Sequence, residues 1–386
     1  MTTISNHLAV AKPDRDLDWL KGALQTAIAL EHATMPYYLA ATYSLEVQNY
    51  TAYNLLRSVA MEEMAHMAIA CNLLAAIGGA PKIMGLAPAY PSRGLPGNAE
   101  PDLYVCLAPL SKRLLQNFMR LETPFFLLDP QFQHEAYPTI SRLYDGIRGA
   151  VRDNRAQIRD AMKRGGGANQ VGDDIGFSTF AYAEGKDPVP GIEAAIDEIL
   201  TQGEGSTSRT LHAGPASQGE ESHYCKFAEI YYGHQFAMPG DVVTLTKATE
   251  PQFFGGYPIP FPAVRNTLSV PKDGYAKLLA KDPEGDAASK DLLAFDRAYS
   301  GLMGNLDAMW NGPADKSWPT FGQAVETMAK LRVLACFNIM KHQVPPAAVA
   351  ALPQLYPDEI NDLAAYTDLA APVYYGPRFR NVAAAP

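Results

Sequence analysis

Residues 55–70 read LLRSVAMEEMAHMAIA, and the decisive feature is what interrupts the apolar spacing. Leu56, Val59, Glu63, His66 and Ala70 keep the three- and four-residue step of one helix face, so Glu63 and His66 stand where core residues belong. Glu62 points off that face and reads as exposed. Residues three apart on a helix lie side by side, so a carboxylate and an imidazole in an E-x-x-H motif can reach one ion together. The helix is predicted from Thr51 to about Ile77, closed by Gly78-Gly79 and Pro81.

The same interruption recurs three times. A helix from Asp14 to about Leu45 carries one apolar stripe through Leu17, Leu20, Leu24, Ile28, Met35 and Tyr38, with Glu31 in step. It forms an antiparallel hairpin with the first. A third helix from about Leu110 to Leu128 places Glu122 in step with Leu115, Phe118 and Phe125, although Pro124 must bend or end it. A fourth, near 219–236, repeats E-x-x-H as Glu220 and His223, in step with Phe227 and Ile230. In chain order the set is Glu31, Glu63 with His66, Glu122, then Glu220 with His223. In a four-helix bundle that is the ligand set of a di-iron or di-manganese carboxylate centre. Four carboxylates balance two divalent ions, whereas the same carboxylates buried without ions cost several kcal/mol each. Glu204, between Gly203 and Gly205, competes with Glu122 for the fourth carboxylate position. Tyr38 and Tyr224 lie near the ligands and are candidate catalytic hydroxyls; the alternative for both is a packing tyrosine. His32 and His234 read as supporting or surface groups.

Composition fits this reading. The 386 residues are 47% hydrophobic and 19% charged, which suits a compact globular chain. A formal net charge of −9 has the wrong sign for gripping nucleic acid or an anionic membrane. The start shows no leader pattern and no run reaches the roughly 18 uninterrupted apolar residues of a spanning helix, so a soluble cytoplasmic protein is expected. Four cysteines without metal or disulfide spacing read as reduced, buried thiols. The glycine clusters lack nucleotide-loop patterns, and no nucleophile elbow occurs. The expected organisation is a metal-binding bundle over 14–238 with long Pro/Gly-rich insertions, an irregular segment with short strands over 239–285, a C-terminal helical pair over 286–345, and a partly loose tail over 346–386.

The stretches Leu24–Thr34 and Arg57–Met67, the Gln202–Gly205 turn and Ser222-His223-Tyr224 resemble the ferritin-like domain family named after the iminophenyl-pyruvate dimer synthase of violacein biosynthesis. Tyr299–Leu302 and Trp310–Gly312 resemble that family's C-terminal helices, so the similarity spans roughly 17–340. The resemblance implies a ferritin-like bundle, an iron site and oxidative chemistry in secondary metabolism; a haem linked to related synthases is not predicted by the E-x-x-H pairs. Together these readings predict a dinuclear enzyme: two Fe ions (or Mn) using O2 to oxidise a small, amino-acid-derived substrate in a pocket roofed by the proline-rich loops, with an external electron donor. Iron storage with ferroxidase activity and a metal-free structural module are the alternatives, separated by organic turnover and by metal content.

Overall fold

The structure is a computed structural model that describes residues 2–46, 50–123, 137–165, 169–172, 177–203, 211–212, 221–236, 242–243 and 254–382. A short helix, α1 (Ile4–Ala9), leads into α2 (Leu17–Tyr43), whose N-terminus is capped by Asp16 accepting from the Trp19 amide at 2.8 Å. The helix α3 (Tyr50–Ala76) returns antiparallel along it, and Gly78 closes it in the left-handed region at φ +78°. Both long helices were legible, but not their surroundings. Every residue from Thr26 to Tyr38 and from His66 to Ala76 is buried, where an apolar stripe alone was expected. A helix buried all round needs packing on both sides, and this pair has it.

On one side lie α4 (Lys112–Leu121), α5 (Ile140–Asp153) and α8 (His223–Tyr232). The last of these packs on both α3 and α4, while α5 packs on α2. Between α5 and α8 come α6 (Arg155–Lys163) and α7 (Val189–Gln202), the latter lying against α5 and α3. On the other side, α9 (Ala276–Leu279) precedes the expected C-terminal pair, α10 (Gly285–Asn311) and α11 (Ser317–Val333), which pack on each other with α10 against α3. Asn72 fastens this side. Its amide donates to the Val171 and Ser178 carbonyls, while its oxygen accepts from the Trp310 indole at 2.9 Å and the Val171 amide at 3.0 Å. A fully satisfied buried amide fixes the register of three segments at once.

Several expectations change. The third bundle helix ends at Leu121 with Glu122 as its C-cap, short of Leu128; Pro124 lies outside the described residues. The fourth begins at His223, capped by Ser222, and Glu204 and Glu220 lie outside the described residues. The strand expected near 103–107 is β2 (Ala99–Val105), antiparallel to β1 (Ser92–Leu95), and the strand signal near 242 is the two-residue β4 (Val242–Val243) on β3 (Leu211–His212). The tail is not loose as far as it is described: Tyr356, Tyr375 and Phe379 are core residues, and Arg378 pairs with the fully buried Asp296 of α10. Cys71, Cys106 and Cys225 are buried free thiols, while Cys336 is partly exposed. Among the described residues one helix, Tyr50–Ala76, is long and apolar enough to cross a membrane by composition, and 78% of its apolar window is buried inside the protein.

Candidate metal centre

Glu31 from α2, Glu63 and His66 from α3, Glu122 from the end of α4 and His223 from the start of α8 meet in the bundle, each with no exposed surface. They form two groups able to hold an ion, Glu31/Glu63/His66 and Glu63/Glu122/His223, and Glu63 belongs to both. His223 Nδ1 stands 2.9 Å from Glu63 Oε1 and 3.4 Å from Glu122 Oε2; His66 Nδ1 stands 3.7 Å from Glu31 Oε2. The two imidazoles lie nearly parallel, centroids 5.5 Å apart.

Each of the five side chains has one atom held and one left over. Tyr144 donates to Glu31 Oε1 and Tyr38 to Glu122 Oε1. The Thr34 hydroxyl is 2.6 Å from Glu63 Oε2 and 2.8 Å from the Glu31 carbonyl; with one proton to give, it favours the carboxylate. His66 Nε2 lies 3.0 Å from Gln202 Oε1, and His223 Nε2 lies 2.9 Å from Glu62 Oε2. An ionised carboxylate only accepts, so Nε2 of His223 carries a proton. The leftover atoms are Glu31 Oε2, Glu63 Oε1, Glu122 Oε2 and both Nδ1 atoms, all buried without a hydrogen-bond partner. Where His223 and Glu63 come to 2.9 Å, the angles are not those of a hydrogen bond. Five buried, unpartnered donor atoms turned on one another are expensive unless a cation sits among them. The donor set therefore fits a metal pair, with partners that orient each ligand.

The electrostatics of the metal-free cluster agree. Burial, then the neighbouring Glu63 charge, pushes the Glu31 carboxyl well above its usual range; burial likewise raises Glu122 against the pull of His223. Burial works against charge on Glu63 too, but His223 and His66 outweigh it and hold Glu63 below the usual value. Burial lowers His66, and would lower His223, except that Glu122, Glu62 and Glu63 together hold His223 well above an ordinary histidine.

Of the sequence candidates, Glu31, Glu63, His66, Glu122 and His223 come together. Tyr38 bonds a carboxylate of the cluster, boxed by Phe118 and Phe227 with centroids 4.7 and 5.0 Å away. Tyr224 is buried one position after His223 but belongs to neither group. His32 pairs with Tyr299 at 2.7 Å, and His234 is exposed. Glu62 is the clear correction: it is partly buried against α8, between His223 and the Lys226 ammonium at 2.5 Å. A helical wheel gives a residue's direction from its own axis and not what packs there. Gly203 was missed as well: a Cβ there would stand 3.2 Å from both imidazoles, so the end of α7 fits flush against them. Glu62→Ala is expected to weaken metal binding about 10- to 100-fold while leaving the fold intact, measured by Fe(II) or Mn(II) titration.

A family model described as ferritin-like matches residues 24–232, more than half of the chain. The chain belongs to the ferritin-like family. A crystal structure of a ferritin-like protein from Caulobacter vibrioides is 22% identical to it, with a TM-score of 0.56 over 82% of this chain and 94% of that one, a likeness of fold. No functionally curated protein matches the chain. The matched span runs from α2 to the end of α8 and contains all five ligand candidates of this ferritin-like bundle.

Proposed function

We propose that this ferritin-like protein is a dinuclear iron oxidoreductase that uses O2 to oxidise a small, amino-acid-derived substrate, fed by an external electron donor. The observation that carries the reading is the set of five buried ligand atoms, each unpartnered and turned inward, each on a side chain oriented by a neighbour. Mixed carboxylate and imidazole donors suit iron or manganese better than a thiolate-seeking metal. Bound iron supplies reversible electron chemistry and O2 reduction, which no side chain of this site offers.

The chain's own residues do the rest. Glu63, common to both groups, would serve both ions; Glu31 with His66 would help hold one and Glu122 with His223 the other. Tyr144, Thr34, Tyr38, Gln202 and Glu62 hold these ligands in place. Burial works against a charge on Glu62, but His223, and then Lys226 hydrogen-bonded to both its oxygens, outweigh it and hold the carboxyl below its usual range. We assign Tyr38, which donates to Glu122, to holding that carboxylate in place. The likeness of the Leu24–Thr34 and Arg57–Met67 stretches to the violacein-pathway domain supports a place in secondary metabolism. Residues 79–107, the proline-rich connection, do not line the cavity of about 760 Å³ between the α2–α3 hairpin and the helices α10 and α11.

The test is anaerobic Fe(II) reconstitution followed by elemental analysis and O2 uptake with a chemical reductant. About two ions per chain and iron-dependent O2 consumption are expected. Less than about half an equivalent of any transition metal would favour a structural module, and progressive uptake of many ions per chain would favour storage.

A further inference from the structure

A cavity of about 760 Å³ lies between the α2–α3 hairpin and the C-terminal helical pair, and none of the five grouped residues lines it. Glu31 and His32 leave α2 about 100° apart, so the hairpin turns one face to the cluster and another to this cavity. The wall is nearly all apolar: Met35, Met64 and Met67 from the hairpin, Met309 and Met328 from the helical pair, Phe379 from the tail. Methionine-rich walls adapt to flexible apolar ligands, and the volume is in the range of small-molecule sites. Along α3 the lining runs from Tyr53 to Ala68, and the part from Arg57 inward to Ala68 covers about 16 Å of helix, on the order of a dozen carbons of extended chain.

Two polar features interrupt this wall. His32 lines the cavity, is 3% exposed, and uses Nε2 on the Tyr299 hydroxyl, which leaves its buried Nδ1 without a partner. Arg57 and Arg332 also line it and are exposed, and among the described residues neither has a carboxylate partner; Arg332 stacks over the Tyr53 ring at 4.9 Å. We infer that this cavity is a second ligand site, separate from the metal cluster, for an elongated free acid whose chain lies along the methionines, whose carboxylate meets Arg57 and Arg332, and whose neutral oxygen function satisfies His32 Nδ1. A hydroxyl on the ligand fits either tautomer of His32, because it both donates and accepts. The cavity's volume and the buried histidine lining it favour such a molecule over a flat protein partner.

The experiment titrates the full-length, iron-loaded protein with dodecanoate, ω-hydroxydodecanoate and dodecanol by calorimetry, with sedimentation run in parallel. Dodecanoate is expected to bind about one per chain, in the micromolar range or tighter, and more tightly than dodecanol. Arg57→Ala/Arg332→Ala, a change confined to exposed side chains, should weaken dodecanoate about tenfold and leave dodecanol within about twofold. The ω-hydroxyl should add several-fold in the native chain and nothing in His32→Phe. Equal affinity for acid and alcohol, no saturable binding, binding only to phosphatidylserine vesicles, or a dimer that excludes the acid would each overturn the proposal.

Discussion

Glu63→Ala is expected to abolish the binding of both ions, whereas Glu31→Ala and Glu122→Ala should each abolish one. Glu63 alone belongs to both ligand groups, while Glu31 and Glu122 belong to one each. Deleting it takes from one half the carboxylate beside His66 and from the other the oxygen 2.9 Å from His223 Nδ1. The remaining halves would hold one carboxylate and one imidazole each, too few to compete with water for a divalent ion. Iron content after anaerobic reconstitution should fall from about two per chain to under about half, and O2 consumption by at least about 100-fold. The metal-free fold should survive. Removing the Glu63 charge relieves Glu31 and Glu122, whose carboxyls that charge pushes up, and this offsets the lost partner of His223. Circular dichroism separates the outcomes: a folded Glu63→Ala protein that retains one tightly held ion would mean that the two groups do not share a bridge.

The readable part of this site was the part carried by helical spacing. Glu31, Glu63, His66 and His223 interrupt apolar stripes on α2, α3 and α8, and a charged residue in such a stripe is visible without coordinates. Glu122 was found by the same logic for partly the wrong reason. It caps α4 instead of continuing it, and it reaches the cluster because the chain turns there while Tyr38 holds the carboxylate. What spacing cannot show is contact between elements far apart in the chain. Tyr144 meets Glu31 across 113 residues, Gln202 meets His66 across 136, and Glu62 meets His223 across 161. None of these interrupts a pattern on its own helix. The burial of α2 on every side was hidden for a similar reason: His32 and Pro36 on its second face look neutral until α10, α11 and Phe379 close the cavity over them.

Loading the site is expected to release protons, and metal affinity is expected to tighten as pH rises. Ligand atoms must be deprotonated to bind, and Glu31 and His223 hold their protons to higher pH than ordinary groups of their kind. Burial opposes a charge on His223, but Glu122, Glu62 and Glu63 outweigh it and hold the ring well above an ordinary histidine; burial and the Glu63 charge hold the Glu31 carboxyl well above its usual range. Calorimetric titration with Mn(II) in two buffers of different ionisation heat counts the protons directly. The same shifts fix the sign of the stability change. Both groups have folded values raised above their unfolded ones. Their contribution is therefore fully present below the unfolded values, near 4.5 for Glu31 and 6.5 for His223, and is lost as pH rises through the folded values. The metal-free protein should accordingly lose thermal stability as pH rises through the range above those unfolded values, while the metal-loaded protein, whose ligand atoms no longer take up protons, gains relative to it. The gap in Tm between metal-loaded and chelated protein should widen by several degrees across that range. A gap that narrows with rising pH, or binding without proton release, would mean that the unpartnered atoms of Glu31 and His223 do not face the metal.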